Sequence, residues 1–120
     1  DSEVDDVLAA DLIETIFSKV RHNRTEAVIS AIDQGFNVNS VDTYGNTILH
    51  VCAQNNLRKL ASTLLQRYPQ IQLNTENLKG LTALDYADKY GFEKVSTWLI
   101  GVGAEHGGAH AVTNKMSKLR

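Results

Sequence analysis

Apolar residues in this chain recur mostly at spacings of three and four, and Gly, Asn or Pro interrupt them at intervals. Leu12, Ile13, Ile16, Phe17 and Val20 form one such stripe and predict a helix over residues 11–20. Asn23 breaks it. A second helix over residues 25–32 points Val28, Ile29 and Ile32 inward, and Gly35 suits the position where a helix ends. Two short apolar-rich segments follow Thr47 and Thr82 and break at Asn56 and Gly91. Each leads into another helix, over residues 58–67 and 93–100. Ahead of the first stripe, Asp5 and Asp6 open a separate short helix through Val7 and Leu8 within an acidic flank, residues 1–10.

The halves of this pattern repeat. Residues 42–66, DTYGNTILHVCAQNNLRKLASTLLQ, align with residues 77–101, NLKGLTALDYADKYGFEKVSTWLIG, at an offset of 35. Gly45/Gly80, Thr47/Thr82, Leu49/Leu84, Lys59/Lys94 and Leu64/Leu99 are identical, and Cys52/Ala87, Leu57/Phe92, Leu60/Val95 and Leu65/Ile100 stay apolar or small. The identities fall at a turn glycine, a helix N-cap and core leucines, positions with separate structural jobs. Residues 11–41 read as a degenerate first copy without the Gly-x-Thr opening. Isolated helices shorter than about 12–15 residues are marginal in water, so these pairs persist only by stacking. The predicted fold is therefore all-α, a short solenoid of about three helix-turn-helix repeats over residues 11–41, 42–76 and 77–105.

At these residues the chain resembles the ankyrin repeat. Thr47-Ile48-Leu49-His50-Val51-Cys52-Ala53 is similar to the family's T-P-L-H-x-A-A core, and Thr82-Ala83-Leu84-Asp85-Tyr86-Ala87 to its T-A-L-D-x-A variant. Gly35-Phe36-Asn37-Val38-Asn39 and Gly103-Ala104-Glu105 resemble the G-A-D-x-N that closes a repeat. Three departures stand out. Ile48 replaces the proline, Asn56 the glycine between helices, and Asp85 the histidine. Residues 68–73 add length before Asn74, which lengthens the period to 35 from the family's roughly 33. The resemblance implies that His50 hydrogen-bonds neighbouring backbone and ties adjacent repeats, whereas at Asp85 it leaves open whether those bonds form.

The chemistry-bearing residues otherwise point away from catalysis. His50 and the only cysteine, Cys52, lie two apart in a helix, so their side chains diverge by about 200° and form no nucleophile–base pair. His106 and His110 are four apart but flank Gly107 and Gly108 and have no third ligand nearby, so no metal is expected. Gly101-x-Gly103 lacks the strand–turn–helix setting of a dinucleotide fingerprint, and no cofactor is expected. A formal net charge of -2 gives no reason to expect nucleic acid. No apolar run approaches the roughly 18 residues of a membrane span. One cysteine makes no internal disulfide, which suits an intracellular, cytoplasmic or nuclear, setting. The chain starts with Asp, as a piece of a longer protein would. Residues 106–120, with two glycines and three basic residues, Lys115, Lys118 and Arg120, read as a flexible basic tail.

The resemblance implies a non-enzymatic protein-interaction module. Its alternative is a regulatory or docking domain of a larger, enzymatic, multidomain protein. The partner is then another protein, a peptide segment or another domain of the parent chain. In folds of this kind hairpin tips and inner-helix ends form the concave face. Those positions are Arg21 and His22 in the first repeat, Thr43, Tyr44, Asn46, Gln54 and Asn55 in the second, and Leu78, Lys79, Leu81, Lys89 and Tyr90 in the third. Tyr44 and Tyr90 are the candidate anchors, since an aromatic ring with a polar tip suits a binding hot spot.

Overall fold

The computed structural model describes the backbone of residues 2–108 and the side chains of residues 9–108. Six helices follow in chain order: α1 (Ser2–Arg21), α2 (Thr25–Asp33), α3 (Ile48–Gln54), α4 (Arg58–Arg67), α5 (Ala83–Lys89) and α6 (Glu93–Gly101). No strand occurs among the described residues. The helices pair as α1–α2, α3–α4 and α5–α6. The first member of each pair stacks on the next, α1 on α3 and α3 on α5, while α4 packs on α6 behind them. Three stacked pairs give an elongated body of 53 × 32 × 23 Å. None of the helices is long and apolar enough to cross a membrane, among the described residues.

The turn within each pair has one geometry. Asn23, Asn56 and Gly91 occupy equivalent positions at φ 57°, 57° and 72°. Each is followed by an amide that reaches back five residues: Arg24 to the Lys19 carbonyl, Leu57 to Cys52 and Phe92 to Ala87. This left-handed helix ending favours Gly, and Asn is the side chain that tolerates it best, so Asn56 replaces the glycine without changing the turn.

The core runs along the stack. Phe17, Val20, Val28, Ile48, Leu49, Cys52, Leu60, Leu64, Leu84, Ala87, Val95 and Leu99 are almost wholly buried. Inner helices of seven residues carry alanine and cysteine where neighbours approach, and this lets α3 and α5 pack closely. Leucines come from both layers, Leu49 and Leu84 from the inner helices and Leu60, Leu64 and Leu99 from the outer ones.

Four features depart from the sequence reading. α1 runs unbroken from Ser2, so the short acidic helix and residues 11–20 are one element: nothing between Leu8 and Asp11 interrupts a helix. Leu12, expected inward, is 50% exposed. At about 100° per residue it lies to one side of the Ile13, Ile16, Phe17 and Val20 stripe. The lengthened segment after α4 is pinned to the repeat before it: Asn39 donates from Nδ2 to the Gln70 carbonyl (3.1 Å) and accepts the Gln72 amide (2.9 Å). Tyr68 adds a hydroxyl bond to Asp33 (2.7 Å), which also pairs with Arg67 (2.7 Å), joining α2 to α4.

The fourth departure concerns the expected flexible tail. His106 sets Nδ1 2.7 Å from the Asp85 carboxylate and Nε2 3.2 Å from that of Asp88. The buried Gly107 amide donates to Asp85 (2.9 Å). Residues 106 and 107 are therefore held on α5, because a carboxylate facing the next backbone segment gathers donors from it. Residues 109–120 of that stretch lie outside the described residues.

Candidate protein-binding face

Two hairpin tips project beside the inner helices, and their residues 42–46 and 77–81 build them alike. The Asp42 side chain accepts the amides of Tyr44 and Asn46, both at 2.9 Å. Asn77 accepts those of Lys79 (2.9 Å) and Leu81 (3.1 Å). Such side-chain-to-backbone bonds preset a turn without a β-sheet to support it. The tips are joined by the Leu78 amide donating to the Tyr44 carbonyl (3.0 Å). Gly45 is required here twice over. Its φ is +77°, and a Cβ there would sit 3.0 Å from the Leu78 nitrogen.

The turn at 77 also does what its counterpart at 42 cannot. An aspartate only accepts, whereas the Asn77 amide donates to Asn46 (2.9 Å) and to the Tyr86 hydroxyl (2.8 Å). That buried triangle ties hairpin to hairpin and hairpin to α5. Tyr86 in turn meets the His50 ring edge-on (5.8 Å between centroids) and stacks on Tyr90 (6.1 Å, 7° between planes). Lys89 places its ammonium 5.8 Å from the centre of the Tyr90 ring.

The result is a groove of about 320 Å³ lined by Tyr44, Asn46, Gln54, Asn77, Leu78, Lys79, Tyr86, Lys89 and Tyr90. Seven of the twelve residues singled out in the sequence meet there. Their duties differ, however. Tyr44, Leu78 and Tyr90 stand 68%, 78% and 48% exposed. Asn46 is buried, with its side chain spent on Asn77.

The other five lie elsewhere. Arg21 and His22 are exposed at the end of α1, where His22 bonds back to the Ser18 carbonyl (2.7 Å) and lines a separate depression with Lys19 and Arg24. Thr43 faces Ala10, Ile13 and Glu14 of α1 across another. Asn55 returns its amide to Val51 (2.8 Å), finishing α3. Leu81 packs against the core. Sequence reasoning missed Asn77 and Tyr86. The first was legible as the counterpart of the turn residue Asp42, and the second as the partner of Tyr90 one helical turn away.

His50 and Cys52 are structural. The Thr47 amide donates to His50 Nδ1 (2.9 Å) while the Thr47 hydroxyl accepts the His50 amide (3.4 Å), a reciprocal cap. With Nδ1 accepting, the proton sits on Nε2, which donates to the Leu81 carbonyl in the next repeat (2.8 Å). Burial holds the ring below its ordinary pKa of 6.5, although the Leu81 carbonyl works the other way. Burial likewise pushes the Cys52 thiol up to about 12, which removes the thiolate that nucleophilic chemistry needs.

Asp85, where the family has histidine, takes both of His50's jobs, the second with the polarity reversed. Its carboxylate accepts the Thr82 amide (2.8 Å) to complete the cap, and then accepts from Gly107 where His50 donates. Its own burial raises its pKa, but the amides of Thr82 and Gly107 and the His106 ring outweigh that and leave it below the ordinary value of 3.8. Among the described residues no three of His, Cys, Asp or Glu gather into a set able to hold a metal ion.

A family model described as ankyrin repeats, in three copies, matches residues 16–109. No curated protein matches the chain.

Proposed function

The chain belongs to the ankyrin-repeat family, and from that premise we propose that it receives a protein partner on its concave face, with Tyr44 and Tyr90 as anchors. Ankyrin repeats are generally protein–protein interaction modules and typically non-enzymatic. One observation carries the reading. Three large side chains, Tyr44, Leu78 and Tyr90, are left to solvent around a groove whose floor is tied by its own hydrogen bonds. Exposed apolar side chains gathered around a polar-satisfied floor mark an interaction surface. The partner is another protein, a peptide segment or another domain of the parent chain. The reading carries no enzymatic role and no cofactor. A single buried cysteine suits an intracellular, cytoplasmic or nuclear, setting.

The test is a pull-down with mass spectrometry to identify a partner, followed by titration of the Tyr44→Ala/Tyr90→Ala variant. Affinity should fall by about 2 kcal/mol or more with an unchanged circular dichroism spectrum. Unchanged affinity in the folded variant would move the site off this face.

A further inference from the structure

We propose that the segment seated in this groove is acidic: a short peptide whose apolar or aromatic side chain is flanked by aspartate or glutamate. This rests on the concave-face reading and names the partner's chemistry. The groove is lined by two lysines, Lys79 and Lys89, and by no carboxylate. The acids on the two hairpin tips and on α3 and α5 are committed elsewhere. Asp42 holds its own turn, Asp85 accepts the Thr82 and Gly107 amides, and Asp88 binds Ser96 (2.7 Å) and faces His106. Among the described residues neither lysine takes part in an ion pair. Two lysines thus line the groove without an ion-pair partner among the described residues, and Lys89 sits over the exposed Tyr90 ring.

Anchor and charge are adjacent. Lys89 lies over the Tyr90 ring, and that ring also stacks with Tyr86. The backbone bond between the hairpin tips fixes Tyr44 and Leu78 in the same way. Rigid anchors lower the ordering cost of binding, and the charges set which sequence is accepted. Among the described residues lysines are the only cations lining the groove, so it presents point charges to an anionic side chain and not the planar fork of an arginine. A net charge of -2 over the whole chain disfavours nucleic acid.

A random short-peptide library displayed on phage and selected on the folded chain supplies the probe. Enriched peptides are then synthesised and titrated by fluorescence polarisation. Their targets are the wild type, Lys79→Glu/Lys89→Glu and Tyr44→Ala/Tyr90→Ala, each checked by circular dichroism. The expected consensus places Asp or Glu beside an apolar residue. Its affinity should fall at least about tenfold in the lysine variant, and should weaken as salt is raised. A neutral or basic consensus, no enrichment, or equal affinity for the lysine variant would overturn the proposal. If such neutral peptides lose affinity in the tyrosine variant, the concave-face reading stands without the acidic preference. If acid-flanked peptides bind the tyrosine variant unchanged, the groove itself is wrong. An oligouridine control that binds wild type and loses affinity in both variants would assign the groove to single-stranded nucleic acid instead.

Discussion

Replacing His50 by alanine removes the ring's bonds to Thr47 and to the Leu81 carbonyl from the interior of the stack. The ring is 1% exposed, so water cannot replace what is lost without opening the repeat interface. The Leu81 carbonyl keeps the Asn77 amide (2.9 Å), so its loss amounts to one net bond, about 1 kcal/mol. The Thr47 amide fares worse. It is buried and donates to Nδ1, and an unsatisfied buried donor costs about 1–3 kcal/mol. The edge-on contact with Tyr86 adds about 0.5–1.5 kcal/mol. The sum is about 2.5–5.5 kcal/mol, a large share of the roughly 5–15 kcal/mol that holds a domain together.

His50→Asn separates the two bonds. An oxygen on a short side chain reaches the cap amide, as Asp85 does at Thr82 (2.8 Å), but the Leu81 carbonyl is beyond it. That variant should lose about half as much. Urea unfolding at neutral pH, followed by far-ultraviolet circular dichroism, measures both. The same ring sets a pH dependence. Its folded pKa lies below 6.5 because burial opposes the charged form, so below that pH the unfolded chain binds more protons there than the folded one. The contribution is therefore fully present above about pH 6.5 and is lost as pH falls toward the folded pKa. The slope in that window should shrink in His50→Asn. An alanine variant that loses less than about 1 kcal/mol, or an asparagine variant no better than alanine, would refute the hydrogen-bond account.

Two further outcomes follow from backbone and burial. Gly45→Ala combines a left-handed φ of +77° with a Cβ 3.0 Å from the Leu78 nitrogen, whereas Gly91→Ala meets φ +72° with nothing within 4 Å. The first should cost more than the second by about 1 kcal/mol or more in urea titration, and the reverse order would show that the hairpin tips separate freely. Cys52 should resist a thiol reagent in native buffer and react fully in urea, since its thiol is buried and pushed up to about 12. Rapid native labelling at neutral pH would contradict that burial.

Much of this protein was legible in its residues. The 35-residue offset, the Gly-x-Thr openings and the leucines set the helix pairs, because each expresses a local requirement. A turn needs a left-handed residue, a helix start needs an acceptor for its free amide, and a short helix needs one apolar face. The cap at Thr47 was likewise readable, and the family resemblance implied a tie from His50 to neighbouring backbone, although not that its acceptor is Leu81. What the chain alone left open depends on neighbours brought together by stacking. Whether Asp85 keeps the histidine's bonds is decided by the Gly107 amide that faces it. Asn46 looked like a contact residue until Asn77 took its side chain. Leu12 sits at the edge of the stripe, and the packed helix leaves that edge to solvent. Seven of the twelve candidate residues share one groove and five do not, because the position of a tip relative to the next tip is set by inter-repeat hydrogen bonds. Periodicity specifies each repeat's own turn and helices. Which side chains remain free to bind is decided by what the adjacent repeat takes from them.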